Sequence, residues 1–303
     1  MKAMLLAAGL GTRLRPITNT LPKPLVPVCN RPLIEWAVDA LVDAGVHDIV
    51  VNLHHLPEAI TNLLAKRTDA HFEFSHEPKI LGTGGGVRNV RNLLENEDEF
   101  FLVNGDTIQF PPFAALRDAR RDAIAALVLR HAPANDNFTP VYLANGRVTG
   151  FGSGTGEPLM FSGAHLISSR IFQYLNEKTF RIIATYESLL GEITGVVDDG
   201  LWFDIGTPQR YREASRALLD AIVRGELATP RDSHIEGDSL VHDSADIRGV
   251  IAHSVIGAHT TVRGDVRDSS VWDDCTIDGT VERCIVSHGV MIRSAVTDDV
   301  IVQ

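Results

Sequence analysis

Three cations crowd the start of this chain, and two aspartates far from them close short apolar runs. The cations lie in Gly9-Leu10-Gly11-Thr12-Arg13-Leu14-Arg15-Pro16 and, a few residues on, Leu21-Pro22-Lys23-Pro24-Leu25. Glycines take backbone angles closed to other residues and, lacking a Cβ, let a charged ligand reach main-chain amides. Prolines on either side hold the backbone of Lys23 nearly rigid. Bare amides, a fixed lysine and arginines together suit a polyphosphate; an ordinary tight turn with solvated basic residues is the alternative. A Walker loop is excluded, because no Gly-Lys-Ser/Thr occurs. A dinucleotide fingerprint fails too, since Arg13-Leu14 stand where a third glycine is needed.

Asp106 follows Phe100-Phe101-Leu102-Val103-Asn104-Gly105, and Asp204 sits in Leu201-Trp202-Phe203-Asp204-Ile205-Gly206-Thr207-Pro208. A carboxylate at the end of a buried strand can hold magnesium through hard oxygen ligands, or it can simply shape a turn. Gly82-Thr83-Gly84-Gly85-Gly86 stands just ahead of a helical pattern with Val87, Val90 and Leu94 on one face. Bare amides and a helix dipole there would attract an anion; a flexible connector is the other reading.

The elements that must carry these residues alternate. Ala3–Ala8, Ile49–Leu53, His71–Ser75 and Phe100–Val103 read as strands. Between them, Asn30-Arg31-Pro32 reads as a helix start, and 57–66 as a second helix. Such alternation predicts an α/β fold with a doubly wound, mostly parallel sheet, whose ligands bind beyond the strands' carboxyl ends. Further strands are expected at 124–130, 141–143 and 160–167, the last interrupted by Gly163. The glycines at alternate positions in Gly150–Gly156 read as a lid loop, and Thr207-Pro208 as the cap of a helix reaching about Val223.

Taken together, Gly9-Leu10-Gly11-Thr12-Arg13-Leu14-Arg15-Pro16-Ile17-Thr18, Pro22-Lys23-Pro24-Leu25, Asn104-Gly105-Asp106 and Trp202-Phe203-Asp204-Ile205-Gly206-Thr207 resemble the sugar nucleotidyltransferases. The resemblance implies a Rossmann-like core and a catalytic pair, Arg13 and Lys23. It implies nucleotide contacts from Leu6, Ala7, Ala8, Gly9, Gly11, Thr12 and Arg13, and from Gly82, Thr83, Gly84 and Gly85. Asn104, Ser162 and Gly163 would face the sugar, and Asp106 and Asp204 would hold Mg2+. Many members place Glu-Lys-Pro before the glycine-bearing strand; this chain has Gly156-Glu157-Pro158 and lacks that lysine.

From Ser239 a repeat begins. Val241/Ile247, Ile256/Val262, Val271/Ile277 and Ile285/Met291 are each six residues apart, with starts 15, 15 and 14 residues on. Short strands at fixed period predict a solenoid, and the hexapeptide spacing resembles a left-handed parallel β-helix. The expected domains are therefore a catalytic domain over 1–228 and a β-helix over 229–303, joined through Leu227-Ala228-Thr229-Pro230.

Bulk properties fit a two-domain soluble globular protein: 303 residues, 44% hydrophobic, net charge −11. An acidic chain is not expected to bind nucleic acid or an anionic membrane. Three scattered cysteines make no disulfide framework, and Met4–Ala8 is too short for a signal or span, so the cytoplasm is expected. The histidines show no metal spacing, although His165 falls on the strand assigned to the sugar. The resemblance implies transfer of a nucleotidyl group from an NTP to a sugar 1-phosphate. Ala7-Ala8-Gly9, the triple glycine and Phe161-Ser162-Gly163 favour UTP with an N-acetylated hexose 1-phosphate, as in N-acetylmuramate-1-phosphate uridylyltransferases. UTP or dTTP with glucose 1-phosphate and GTP with mannose or heptose 1-phosphate are the alternatives, and the tail favours mannose. A non-catalytic nucleotide-sugar-binding subunit is a third reading, and a homo-oligomer formed through the β-helix is compatible with each.

Overall fold

The computed structural model describes residues 1–133 and 138–303. The chain opens with β1 (Lys2–Leu6), a small hairpin of β2 (Pro27–Val28) and β3 (Arg31–Pro32), and α1 (Leu33–Asp43). Then come β4 (Asp48–Leu53), α2 (Pro57–Leu64), β5 (His71–His76), α3 (Gly82–Asn89), α4 (Arg91–Leu94) and β6 (Glu99–Asn104). β7 (Thr107–Gln109), α5 (Phe113–Arg120), β8 (Ala125–Arg130), β9 (Val141–Ala144) and β10 (Arg147–Phe151) follow. The remainder of the α/β part is β11 (Glu157–Ser168), α6 (Ile182–Glu187), β12 (Ile193–Val197), β13 (Trp202–Asp204) and α7 (Pro208–Val223). None of the described helices is long and apolar enough to cross a membrane.

The chain forms two compact units, Met1–Leu10 with Ile34–Trp202 and Gly11–Leu33 with Phe203–Gln303. The first strand after α7 is Ser233–Glu236. Compactness nevertheless groups 11–33 and α7 with the repeat, a division that follows packing and not chain order.

The first unit is built on a nine-stranded sheet in the order β5-β4-β1-β6-β11-β8-β12-β10-β9. β5, β4, β1 and β6 run parallel, because helical crossovers join them. Their central strands are near-continuous apolar runs, with Met4, Val50 and Leu102 fully buried, as a sheet covered on both faces requires. β11 is antiparallel to both β6 and β8, and β9 and β10 form an antiparallel edge. The parallel expectation thus holds for the first four strands and for β8–β12, with β11 inserted against it. Leu6 is level with Asn52 on one side and Asn104 on the other, so three strands end together.

Three local expectations are corrected. Arg31-Pro32 is strand, not helix: Cys29 and Asn30 both take positive φ (51° and 57°), turning a tight hairpin, and α1 starts at Leu33. The glycines 82–86 lie inside α3, not ahead of it. The 150–156 segment is no lid: Thr149 Oγ1 bonds both the N–H and the carbonyl of Thr155, and a Cβ on Gly154 would strike Tyr142 at 2.7 Å. Its glycines permit close packing on β9.

In the second unit the tail coils through three sheets of parallel strands, the expected left-handed β-helix, with Ser233–Glu236 added antiparallel at one edge. Val241, Ile256, Val271, Val286 and Ile301 stack in register 15 residues apart. The fourth repeat therefore aligns on Val286 and Ile292, one residue beyond the Ile285/Met291 pair expected; Met291 points outward, 55% exposed. A second ladder lies inside one corner, where the hydroxyls of Ser239, Ser254 and Ser269 each accept the amide 15 residues on.

α7 packs on this solenoid. Ser215 Oγ meets Ser270 Oγ at 2.9 Å, and Trp272 Nε1 donates to Tyr211 Oη at 2.9 Å. His253 bridges the two, with Nε2 at 2.9 Å from Asp220 of α7 and Nδ1 at 2.9 Å from Asp268. An imidazole bonded to a carboxylate through each nitrogen must carry both protons. Burial alone would lower its pKa, but the hydrogen bonds to Asp268 and Asp220 prevail over burial and over the opposing Arg216 charge, raising it above the ordinary 6.5.

A raised folded pKa means that this contribution to stability is complete below the unfolded value near 6.5 and fades as pH rises through the folded value. The melting temperature of the wild type should therefore fall across that window by more than that of a His253→Gln variant. Parallel pH profiles for the two proteins would show that the bridge contributes nothing.

Candidate functional site

Asp204 gathers the charge of the second unit. Its Oδ1 lies 3.5 Å from Lys23 Nζ, and its Oδ2 lies 3.0 Å from Arg210 Nη1 and 3.8 Å from Arg13 Nη2. The sequence pattern had named Arg13, Lys23 and Asp204; the structure brings these three together and adds Arg210. Arg210 sits in the first turn of α7, three residues after the Thr207 cap, whose hydroxyl accepts its amide. Its signal was present, a basic residue at fixed distance from the Gly-Thr-Pro turn, but helix-cap logic alone gave it no role.

Backbone chemistry sets the approach. Gly11 is left-handed (φ 61°), and a Cβ there would lie 2.9 Å from the Lys23 Cβ. Its carbonyl accepts Thr18 Oγ1 at 2.8 Å, closing the loop that carries Thr12 and the exposed Arg13. At Gly206 a Cβ would crowd both Asp204 and the Arg13 guanidinium. Glycine at both positions is what lets three cations reach one carboxylate. Lys23 itself is only 5% exposed, so its charge needs partners in the protein, and Asp204 is one of them.

The segment after Lys23 is anchored on α7 and the solenoid. Tyr211 Oη donates to the Pro27 carbonyl at 2.7 Å while accepting from Trp272, Cys29 Sγ donates to the Ser215 carbonyl, and Asn30 Nδ2 donates to the Ile256 carbonyl at 2.9 Å. Burial pushes the Cys29 thiol up to about 12, so it acts as a small packed donor and not as a nucleophile.

The first unit holds the other expected contacts. Leu6, Ala7 and Ala8 leave the carboxyl end of β1, and the Ala7 amide donates to Asn52 Oδ1 at 2.9 Å. Asn52 Nδ2 donates to Glu77 Oε1 at 2.8 Å, and Glu77 Oε2 accepts the Leu81 amide at 2.9 Å, just ahead of α3. A Cβ on Gly86 would come within 3.0 Å of both Asn52 and Glu77. Asn52 and Glu77, which sequence reasoning missed, thus tie the β1 loop to the glycine helix through a buried carboxylate. The only sequence signal was at Asn52, a polar residue near the end of the apolar run 49–53; Glu77 follows the mixed stretch His71–His76.

The glycine helix is less open than expected. Gly82 is left-handed (φ 70°) against the Phe180 carbonyl, Gly84 donates its amide to that carbonyl at 3.0 Å, and Thr83 Oγ1 accepts the Ile182 amide. Close packing on 179–182 accounts for Gly82 and Gly84, while a Cβ on Gly85 would meet Leu81 at 3.0 Å.

Asn104, Ser162 and Gly163 do come together. β11 bulges between Phe161 and His165, Gly163 has φ 96°, and a Cβ there would collide with the Asn104 amide. Trp202 Nε1 fixes the bulge by donating to the Ser162 carbonyl at 2.8 Å. Gly105 donates its amide to the Leu6 carbonyl, which sets the half-buried Asp106 beside the end of β1. His165 is not available to a ligand: it is buried against Phe161 and Tyr186, with Nδ1 2.8 Å from the Tyr186 hydroxyl, and burial holds its pKa down to about 3. Glu157, where the missing lysine would follow, pairs with His131.

Asp106 and Asp204 offer the hard oxygen donors that magnesium prefers. Among the described residues no three His, Cys, Asp or Glu gather into a metal cage. Magnesium that keeps its waters and takes substrate phosphates needs only one or two carboxylates. Asp106 in the first unit and Asp204 in the second are each of a residue type that fits such an ion.

Replacing Glu77 by alanine should orphan the Asn52 amide and the Leu81 N–H, costing about 2–4 kcal/mol in denaturant unfolding and raising the nucleotide KM. Wild-type values for both would show that the loop and the glycine helix are not coupled through this carboxylate.

Residues 2–153 match the family model described as Nucleotidyl transferase. The chain is 30% identical to a probable mannose-1-phosphate guanylyltransferase 3 of Oryza sativa over 97% of its own length and 83% of the relative's. It is 28% identical to mannose-1-phosphate guanylyltransferase 1 of Arabidopsis thaliana over the same shares. A putative glucose-1-phosphate thymidylyltransferase from Bacillus anthracis has the same fold over 72% of this chain and 94% of that one, at TM-score 0.64 and 23% identity. With the paired cations, the strand-end aspartate and a full-length relative in agreement, the chain belongs to the nucleotidyl transferase family.

Proposed function

We propose that this sugar-phosphate nucleotidyltransferase joins GTP to mannose 1-phosphate, giving GDP-mannose and pyrophosphate. The observation that carries the choice is the alignment over 97% of the chain, tail included, with relatives named mannose-1-phosphate guanylyltransferases. The features that favoured a uridylyl reading lose their weight on physical grounds. The triple glycine is taken up with helix packing, and Gly163 makes room for Asn104, so neither selects a base.

The sugar phosphate oxygen attacks the α-phosphorus of the triphosphate in line, and pyrophosphate departs, with no covalent enzyme intermediate. Catalysis by these residues is positioning and charge neutralisation. Arg13 and the amides of Gly9 to Thr12 hold the triphosphate; Lys23, fixed by its prolines, draws the reacting phosphates together; Asn104, Ser162 and Gly163 orient the sugar. Asp106 and Asp204 would hold magnesium, which when bound would supply further charge neutralisation.

Four nucleoside triphosphates crossed with mannose, glucose, N-acetylglucosamine and heptose 1-phosphates, read by pyrophosphate release, should favour GTP with mannose 1-phosphate by about tenfold or more in kcat/KM. Faster turnover of UTP with the N-acetylated sugar would overturn the guanylyl choice. Lys23→Ala, in a correctly folded sample, should lower turnover by roughly 10²-fold. Chelation should abolish synthesis until magnesium is restored, and Asp204→Asn should raise the magnesium requirement; turnover indifferent to chelation would remove the ion from the proposal.

A further inference from the structure

Between α7 and one corner of the solenoid lies a cavity of about 190 Å³ that the reaction above does not use. Its floor is Leu219, Val255 and Cys284, and its walls are charged. Arg212 and Arg216 project from α7 one turn apart, and Arg283 faces them from the solenoid. Like charges at i and i+4 repel, so the pair is held at a cost unless something negative lies between them.

The nearby acids are largely committed elsewhere. Asp298 takes a two-pronged bond from Arg283 (2.7 and 2.9 Å), and Asp268 accepts from His253 at 2.9 Å and approaches Arg216 no closer than 3.9 Å. Glu213 is exposed at the rim. Arg212, half-buried in the cavity lining, makes no hydrogen bond with any described residue, and its charge acts at longer range on Asp298. Guanidinium forks match phosphate oxygens two at a time, and the apolar floor leaves room for a short carbon body beside them.

We propose that this cavity binds a small phosphorylated molecule, its phosphate between Arg212 and Arg216 and a short carbon body against the floor. Free phosphate and a phosphorylated metabolite present the same group, and the two are separable by experiment.

Titration calorimetry on the full chain uses glycerol 3-phosphate, inorganic phosphate and glycerol as probes. The wild type should bind glycerol 3-phosphate and not glycerol, and R212Q/R216Q should bind it about tenfold or more weakly, as expected for loss of charged hydrogen bonds. Inorganic phosphate binding as tightly as glycerol 3-phosphate would assign the site to the free ion. Neither arginine touches the Asp204 cluster, so the double variant should keep wild-type basal turnover. Lys23→Ala should leave this binding unchanged, separating it from the substrate phosphates. The single variants R212Q and R216Q, with their melting temperatures, guard against a misfolded double variant. Equal affinity in wild type and R212Q/R216Q, no heat with either anion, or loss of binding in Lys23→Ala instead, would overturn the proposal.

Discussion

One carboxylate shared among three cations is the constraint on which the second unit depends. Lys23 is nearly buried, and an ammonium taken out of water without a partner costs several kcal/mol. Asp204 supplies one such partner, at 3.5 Å. Of the cations around it Arg13, 69% exposed, is the one that reaches the surface. The loop thus presents positive charge to solvent. In an acidic chain of net charge −11, attraction for a triphosphate has to be made locally in this way.

The solenoid has a place in that arrangement. Tyr211 stands between Trp272 of the solenoid and the Pro27 carbonyl, four residues after Lys23, and Asn30 reaches a solenoid carbonyl directly. The Trp272 bond is buried and the other two are partly so, and each would leave an unmet polar group if its partner moved. α7 connects both ends, since its first turn carries Arg210 against Asp204 and its later turns pack Ser215 and Asp220 on the coils. The tail is thus part of the scaffold for the cationic loop, which explains why compactness groups residues 11–33 with it.

What could be read in the sequence was whatever depends on residue type at short range. Lys23 between prolines, Asp204 before Gly-Thr-Pro, the apolar strands and the 15-residue beat of the tail all declare themselves locally. What could not be read depends on partners distant in the chain. Glu77 matters because Asn52 and Leu81 meet it, and nothing near residue 77 announces that. Asn30 looks like a helix cap until the pairing of β2 with β3 places it in a hairpin turn. The last coil was misread by one residue because Ile285 and Val286 are both buried and both aliphatic, so only pairing decides the register.

Glycine illustrates why reaction class was legible and the base was not. At Gly11 the missing Cβ admits the Lys23 stem, at Gly86 it admits Asn52 and Glu77, and at Gly163 it admits Asn104. In each case glycine is the space beside a polar group, and the polar group is what recognises or holds. Counting glycines can therefore locate a ligand-bearing loop, because close approach is common to all such loops. It cannot distinguish one base from another, since strong discrimination needs donors and acceptors that a wrong ligand leaves unpaired. Those groups are spread over distant strands, and a resemblance carried on glycine-rich segments says little about them, whereas one carried along the whole chain includes them.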